Sequence, residues 1–194
     1  MNKLTIYIVG VVIVVGGIST VLITQNGDDG VIVSDVATGK SEEVTFTDDM
    51  EGINACDLLT EDVAKIILGD LAKNGELPAG QAVTKDIAVS DCVYTARIDP
   101  SAPVSLANTK GVSLLIRSAK TSKGVDSNND QFGAFKPSGV QDVEAIGDNA
   151  FFNPEFGQLN VLKDGNWYIV NSYIGNAGIG TLDSNKELAN LLNL

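Results

Sequence analysis

Histidine is absent from all 194 residues. That excludes Ser-His-Asp and Cys-His catalysis, the H-E-x-x-H zinc motif and facial-triad iron sites. Cysteine occurs only as Cys56 and Cys92, too far apart for a C-x-x-C redox pair. Two thiolates without imidazole complete a tetrahedral zinc site only with help from carboxylates. No phosphate-binding G-x-x-x-x-G-K-[ST] and no dinucleotide-binding G-x-G-x-x-G occurs; residues 175–180, GNAGIG, are only a loose glycine cluster. Basic residues are scarce, 13 against 25 acidic ones, a net charge of −12. Such a chain is repelled by nucleic acid and by anionic lipid surfaces. Adjacent carboxylates such as Asp48-Asp49 or Glu61-Asp62 do not face each other on a strand or helix. A hydrolytic carboxylate pair would have to be assembled from distant strands. No catalytic, cofactor-binding or metal-ligating residue is assigned, and the chain is read as a non-enzyme.

What is present is a long uncharged run. Between Lys3 and Asp28 there is no charge, and residues 4–23 read LTIYIVGVVIVVGGISTVLI. As a helix rising about 1.5 Å per residue, that length crosses the roughly 30 Å apolar slab of a bilayer. A cleaved signal peptide has a shorter apolar core and a small-residue cleavage site, and neither is found here. No cysteine near its end provides a lipid-anchor site, and a buried core helix would carry more polar interruptions. The run is read as an uncleaved signal anchor, residues 1–24, without a true G-x-x-x-G dimerisation motif. Lys3 and the α-amino group hold the N-terminus in the cytoplasm, which places the C-terminal part outside.

All 25 acidic residues and 12 of the 13 basic ones lie beyond this run, a balance of −13. Residues 25–50 read as an acidic stalk, glycine-bearing and self-repelling, with Lys40 its only cation. Residues 51–194 read as one extracytoplasmic domain, large enough for its own core. In an oxidising compartment the simplest state of Cys56 and Cys92 is a disulfide; two free thiols or a metal pair are the alternatives. Lys110, Arg117, Lys120, Lys123 and Lys136 read as a solvated face. The string DSNND at 126–130 resembles the start of a calcium loop. It fails where Gln131 and Pro137 replace the required Gly and Glu, and is read as a polar loop capping a helix.

Within the domain, Thr60 is an N-cap with Glu61 and Asp62 in the first turn, apolar residues follow at helical spacing, and Gly69 ends the helix. Gly75, Pro78 and Gly80 mark a loop. Residues 83–89 and 91–98 read as two strands turning near Ser90-Asp91, and 112–118 as a third. Residues 126–135 read as a short helix. Strands are expected at 140–146, 150–152, 158–163 and 167–173, the last two joined by Asp164-Gly165 in a type I′ turn. Ser184 and Glu187 form the expected capping box of a final helix, with Leu188, Leu191 and Leu192 facing inward. The predicted fold class is α+β: a transmembrane helix plus one domain with an antiparallel β-sheet covered by helices.

Ala55-Cys56-Asp57-Leu58-Leu59-Thr60, Leu68-Gly69, Cys92-Val93-Tyr94, Gly147-Asp148-Asn149-Ala150-Phe151, Leu162-Lys163-Asp164-Gly165 and Glu187-Leu188-Ala189 follow one another in an order with its own echo. Over residues 53–194 the chain resembles the small two-cysteine bacterial cell-envelope lipoproteins, actinobacterial in type, known as a domain of unknown function. It departs from them in having no N-terminal lipid-bearing cysteine, for which a transmembrane anchor is a physical substitute. The resemblance implies a surface-tethered, non-enzymatic domain with no catalytic residues to carry over. The expected function is therefore that of a membrane-anchored binding module of the cell envelope. Its expected partners are the membrane, through the N-terminal helix, and an envelope protein or small ligand. A structural subunit of a pilus-like or oligomeric assembly is the alternative, and a carboxylate-dependent hydrolase the third reading.

Overall fold

The computed structural model describes residues 12–14, 17–19, 52–69, 83–103, 105–175 and 178–194. The chain divides into two units, Met1–Thr45 and Phe46–Leu194. In the first unit, β1 (Val12–Val14) and β2 (Gly17–Ser19) pair antiparallel. The predicted anchor helix therefore lies outside the described residues except for these six, which are extended. Valine and isoleucine are β-branched and favour extended backbone wherever nothing enforces a helix. Among the described residues no helix is long and apolar enough to cross a membrane. The predicted stalk lies outside the described residues, as does the loop of Gly75, Pro78 and Gly80.

The second unit is α+β, a five-stranded antiparallel sheet with helices on both faces. It opens with α1 (Ala55–Leu58), capped by Asn54, whose side chain accepts from the Cys56 N–H at 3.1 Å. Next comes α2 (Glu61–Leu68). Thr60 caps it as expected, accepting from Val63 N–H, and Gly69 ends it at φ 76°. The strands are β3 (Ile87–Arg97), β4 (Thr109–Ala119), β5 (Asn149–Asn153), β6 (Gln158–Lys163) and β7 (Asn166–Ile174). Their spatial order is β3-β4-β7-β6-β5. Asp164 and Gly165 join β6 to β7 at φ 50° and 72°, both left-handed, as a type I′ turn requires.

Three expectations change here. The two strands predicted around Ser90-Asp91 are one: β3 pairs with β4 from Ile87↔Ala119 to Arg97↔Thr109 without a break. Ser90 makes no turn; its Oγ accepts from the Ala55 N–H at 2.9 Å and so fixes the start of α1 on the sheet. Residues 140–146 form no strand and contribute only an isolated bridge, Asp142↔Phe151. Ala145 at φ 62° and Gly147 at φ 57° turn the backbone out of the extended region. The helix predicted at 126–135 is α3 (Ser122–Phe135), starting a turn earlier from Thr121.

The last helix, α4 (Leu182–Leu191), also starts early. Its capping box is Thr181 with Ser184, not Ser184 with Glu187. Leu188 and Leu192 are buried as expected, and Leu191 half-buried.

Period-2 alternation gives the sheet two faces. The first packs against α1, α2 and α4; its core includes Leu59, Leu68, Leu114, Ile116, Val170 and Leu188. Cys56 and Cys92 are disulfide-bonded there, with Cα atoms 5.1 Å apart, tying α1 to the middle of β3. The second face carries α3.

Candidate functional site

The second face is unusual in what it buries. Cross-strand pairing places Asp91 opposite Leu115, Ser113 opposite Asn171, Arg117 opposite Trp167, and Asn160 between Ile169 and Phe151. All of these side chains share that face, because antiparallel partners point the same way. Over one end lies α3. Phe132 meets Phe151 edge-on at 4.9 Å and Trp167 at 6.1 Å, and Phe135 meets Trp167 at 5.5 Å. This aromatic packing fixes α3 and, with it, Asn128 four residues before Phe132.

Asn128 is fully buried. Its Nδ2 donates to the carbonyls of Arg117 and Gly165 at 2.9 and 2.8 Å, and its Oδ1 accepts from Arg117 Nε at 2.7 Å. Arg117 Nη2 donates to Ser127 Oγ at 3.0 Å. Burial pulls the guanidinium below its ordinary pKa, and among the described residues no carboxylate opposes that shift. Among the described residues three buried side-chain atoms have no hydrogen-bond partner: Arg117 Nη1, Asn160 Nδ2 and Asn171 Oδ1. All three lie on this face. Asn160 Oδ1 already accepts from Trp167 Nε1 at 3.1 Å, which leaves Nδ2 as the free donor. Asn171 Nδ2 donates to the Gly178 carbonyl at 3.0 Å. A Cβ on Gly180 would stand 2.6 Å from Asn171 Oδ1, so only glycine admits the backbone there.

A buried polar atom without a partner costs about 1–3 kcal/mol, and a buried charge more. Two donors and one acceptor, one of them on a cation, are thus left without partners beneath this face. Asp91 adds a carboxyl on the outer strand of the same face. Burial pushes it up to about 6 from 3.8, only partly offset by the Cys92 N–H. Between those values the folded chain holds a proton that the unfolded chain has released. Stability therefore falls as pH rises through that interval. In the single copy, at concentrations too low for association, Asp91→Asn removes this cost and stabilises the chain at pH 7 by about 1–2 kcal/mol after allowance for solvent screening. Thermal melts of wild type and variant at pH 4 and pH 7 check this; a gap that does not widen with pH contradicts it.

Of the five cations read as a solvated face, Arg117 belongs inside: it is 3% exposed. Lys123 is exposed, and Lys136 pairs with Asp142 at 2.6 Å. The 126–130 string is no loop but part of α3, with Asn128 on its inner face. Among the described residues no group of three metal-ligating side chains stands together. Sequence reasoning missed Asn128, Asn160 and Asn171. A signal existed: Gly124, Asn128 and Phe132 recur at helical spacing, and the two strand asparagines interrupt the apolar runs around 160 and 171, where asparagine is disfavoured. The chain matches no family model, no curated protein and no solved structure.

Proposed function

We propose that the chain is a membrane-tethered, extracytoplasmic binding module of a bacterial cell envelope, and that its binding site is on the sheet face shared by half-buried Asp91 and Ser113 with the buried Arg117, Asn160 and Asn171. One observation carries the binding half: every partnerless buried side-chain atom described falls on that face. A protein gains nothing in stability from such groups, so their concentration in one place fits recognition rather than folding. The tether rests on the uncharged run before Asp28. The disulfide fits an oxidising exterior. With no histidine and no free cysteine, the reading is of a module that binds rather than catalyses. The likeness to two-cysteine envelope lipoproteins points the same way.

The test uses intact cells of the source bacterium. Protease added outside should digest the domain of residues 51–194. A photo-crosslinking residue in place of half-buried Ser113 should give a discrete adduct. Arg117→Met should lose that adduct; it also strips buried Asn128 Oδ1 of its donor, at a cost of about 1–3 kcal/mol, so a cooperative thermal melt of the variant must accompany the loss. A protected domain contradicts the tether; an adduct indifferent to Arg117 contradicts the binding face.

A further inference from the structure

Strand β3 is the outer strand of the sheet, eleven residues long, and its register with β4 has no bulge. Exposed edges of this kind are usually blunted by lysine, proline or a bulge. Between Ile87 and Arg97 there is no lysine and no proline. The hydrogen-bond phase is fixed by two observations. Ile98 N–H donates to the Asn108 carbonyl at 3.0 Å, on the β4 side, and Thr84 N–H donates to the Ile87 carbonyl at 2.8 Å, on the outer side. In an antiparallel ladder the two sides alternate residue by residue. Odd-numbered residues of β3 therefore direct N–H and C=O outward. The turn at Val83 and Thr84 covers the first of them. Asp91, Val93, Thr95 and Arg97 have no partner for these groups among the described residues.

The complement of such an edge is another copy of it, and the side chains select one register. With a two-fold axis through Tyr94, Val93 faces Thr95 of the partner subunit, and Asp91 faces Arg97 of the partner subunit. These are directly opposed hydrogen-bonded positions with Cα atoms about 5.5 Å apart, where opposite charges attract and like charges repel. A shift that sets Asp91 against Asp91 of the partner subunit, or Arg97 against Arg97 of the partner subunit, is penalised. The ladder also stops where the chain does. The Val83 turn bounds it at one end and Pro100 follows Arg97 at the other. Among the described residues Asp91 has no cationic partner, and exposed Arg97 has only the Pro100 carbonyl, at 3.0 Å from its Nη1.

We propose that the chain forms a closed two-fold dimer by antiparallel pairing of its β3 edges over residues 91–97, with Asp91 of each copy facing Arg97 of the partner subunit. The product is one continuous ten-stranded sheet, and the isologous contact ends assembly at two copies. The opposite edge is not equivalent, since Asp142 bridges to Phe151 on β5.

The experiment is sedimentation equilibrium of the full chain in detergent micelles. Wild type should dimerise. Arg97→Asp, at an exposed position, should weaken the dimer about tenfold or more, because two attractive pairs become two repulsive ones. Thr95→Pro should abolish it, since it removes an outward N–H that the single copy does not use. The double variant D91R/R97D should restore dimerisation to near the wild-type level. None of these changes touches residues 1–24, so association through the anchor would survive all of them. A wild-type chain that stays monomeric overturns the proposal, as do Thr95→Pro and Arg97→Asp chains that sediment like wild type.

Discussion

Replacing Cys56 and Cys92 together by alanine lowers the stability of the domain by about 4 kcal/mol. The bridge closes a loop with a sequence separation of 36. In the chain-entropy model a loop of that length stabilises by about that amount, chiefly by restricting the unfolded chain. A native-state contribution adds to it. Helices α1 and α2 have four and eight residues, too short to persist without docking. The disulfide is a covalent part of that docking, together with Ala55 N–H on Ser90 Oγ and Ile53 N–H on Ser118 Oγ, both at 2.9 Å. Loss of about 4 kcal/mol is a large fraction of the roughly 5–15 kcal/mol that holds a domain folded. For a domain of this size it corresponds to a melting point lower by about 10–15 °C. Melts of the oxidised wild type, the reduced wild type and the double alanine variant measure it. The last two should agree, and a shift of only a few degrees would remove the disulfide from any central role.

Replacing Asn185 by alanine costs nearly as much, about 3–4 kcal/mol, although no charge or covalent bond is involved. Asn185 is fully buried at the start of α4. Its Oδ1 accepts from Ser172 N–H on β7 at 2.8 Å, and its Nδ2 donates to the Gly157 and Thr181 carbonyls at 2.9 and 2.8 Å. One side chain thus joins the last strand, the β5–β6 turn and the first turn of the last helix. Alanine leaves a buried N–H and two carbonyls with fewer partners and opens a small cavity. Asn185→Asp keeps the acceptor but loses both donors, and brings a carboxylate against two carbonyl oxygens; it is no milder. Thermal melts of both variants test this, with amide exchange at Ser172 as a local probe. Ser172 protection unchanged in Asn185→Ala would show that the hydrogen bond is not what holds α4 to the sheet.

Asn185 also shows where the sequence is legible and where it is not. The final helix is announced by its leucines, and Leu188 and Leu192 face the core because the 3.6-residue period is a property of the sequence itself. The start of that helix is harder to place. Ser184 is as good a cap as Thr181, and what decides between them is nonlocal: Ser184 Oγ also donates to the Ser172 carbonyl at 2.7 Å, which draws it into the first turn. The Asp164-Gly165 hairpin is readable because two consecutive residues that tolerate the left-handed region, set between apolar strands, fit a tight type I′ turn and little else. Ser90-Asp91 is not, because the same residues that favour turns also serve as acceptors for a helix docked across a strand. The site follows the same rule. The disulfide is legible from the count of two cysteines and the expected compartment. The face of Arg117, Asn160 and Asn171 is assembled from three strands, and no local pattern says that three polar residues scattered over the chain will share one side of a sheet. Arg117 reads as solvated because arginine usually is; it is buried because Asn128 and Ser127 on α3 draw its guanidinium inward.

Trapping free thiols with a maleimide-polyethylene glycol reagent, in cells fractionated into membrane and soluble pools, probes placement and redox state together. The expected result is a full-length chain in the membrane pellet that takes up no reagent until it is reduced, and then takes up two. Full-length chain in the soluble pool with both cysteines labelled before reduction would contradict it.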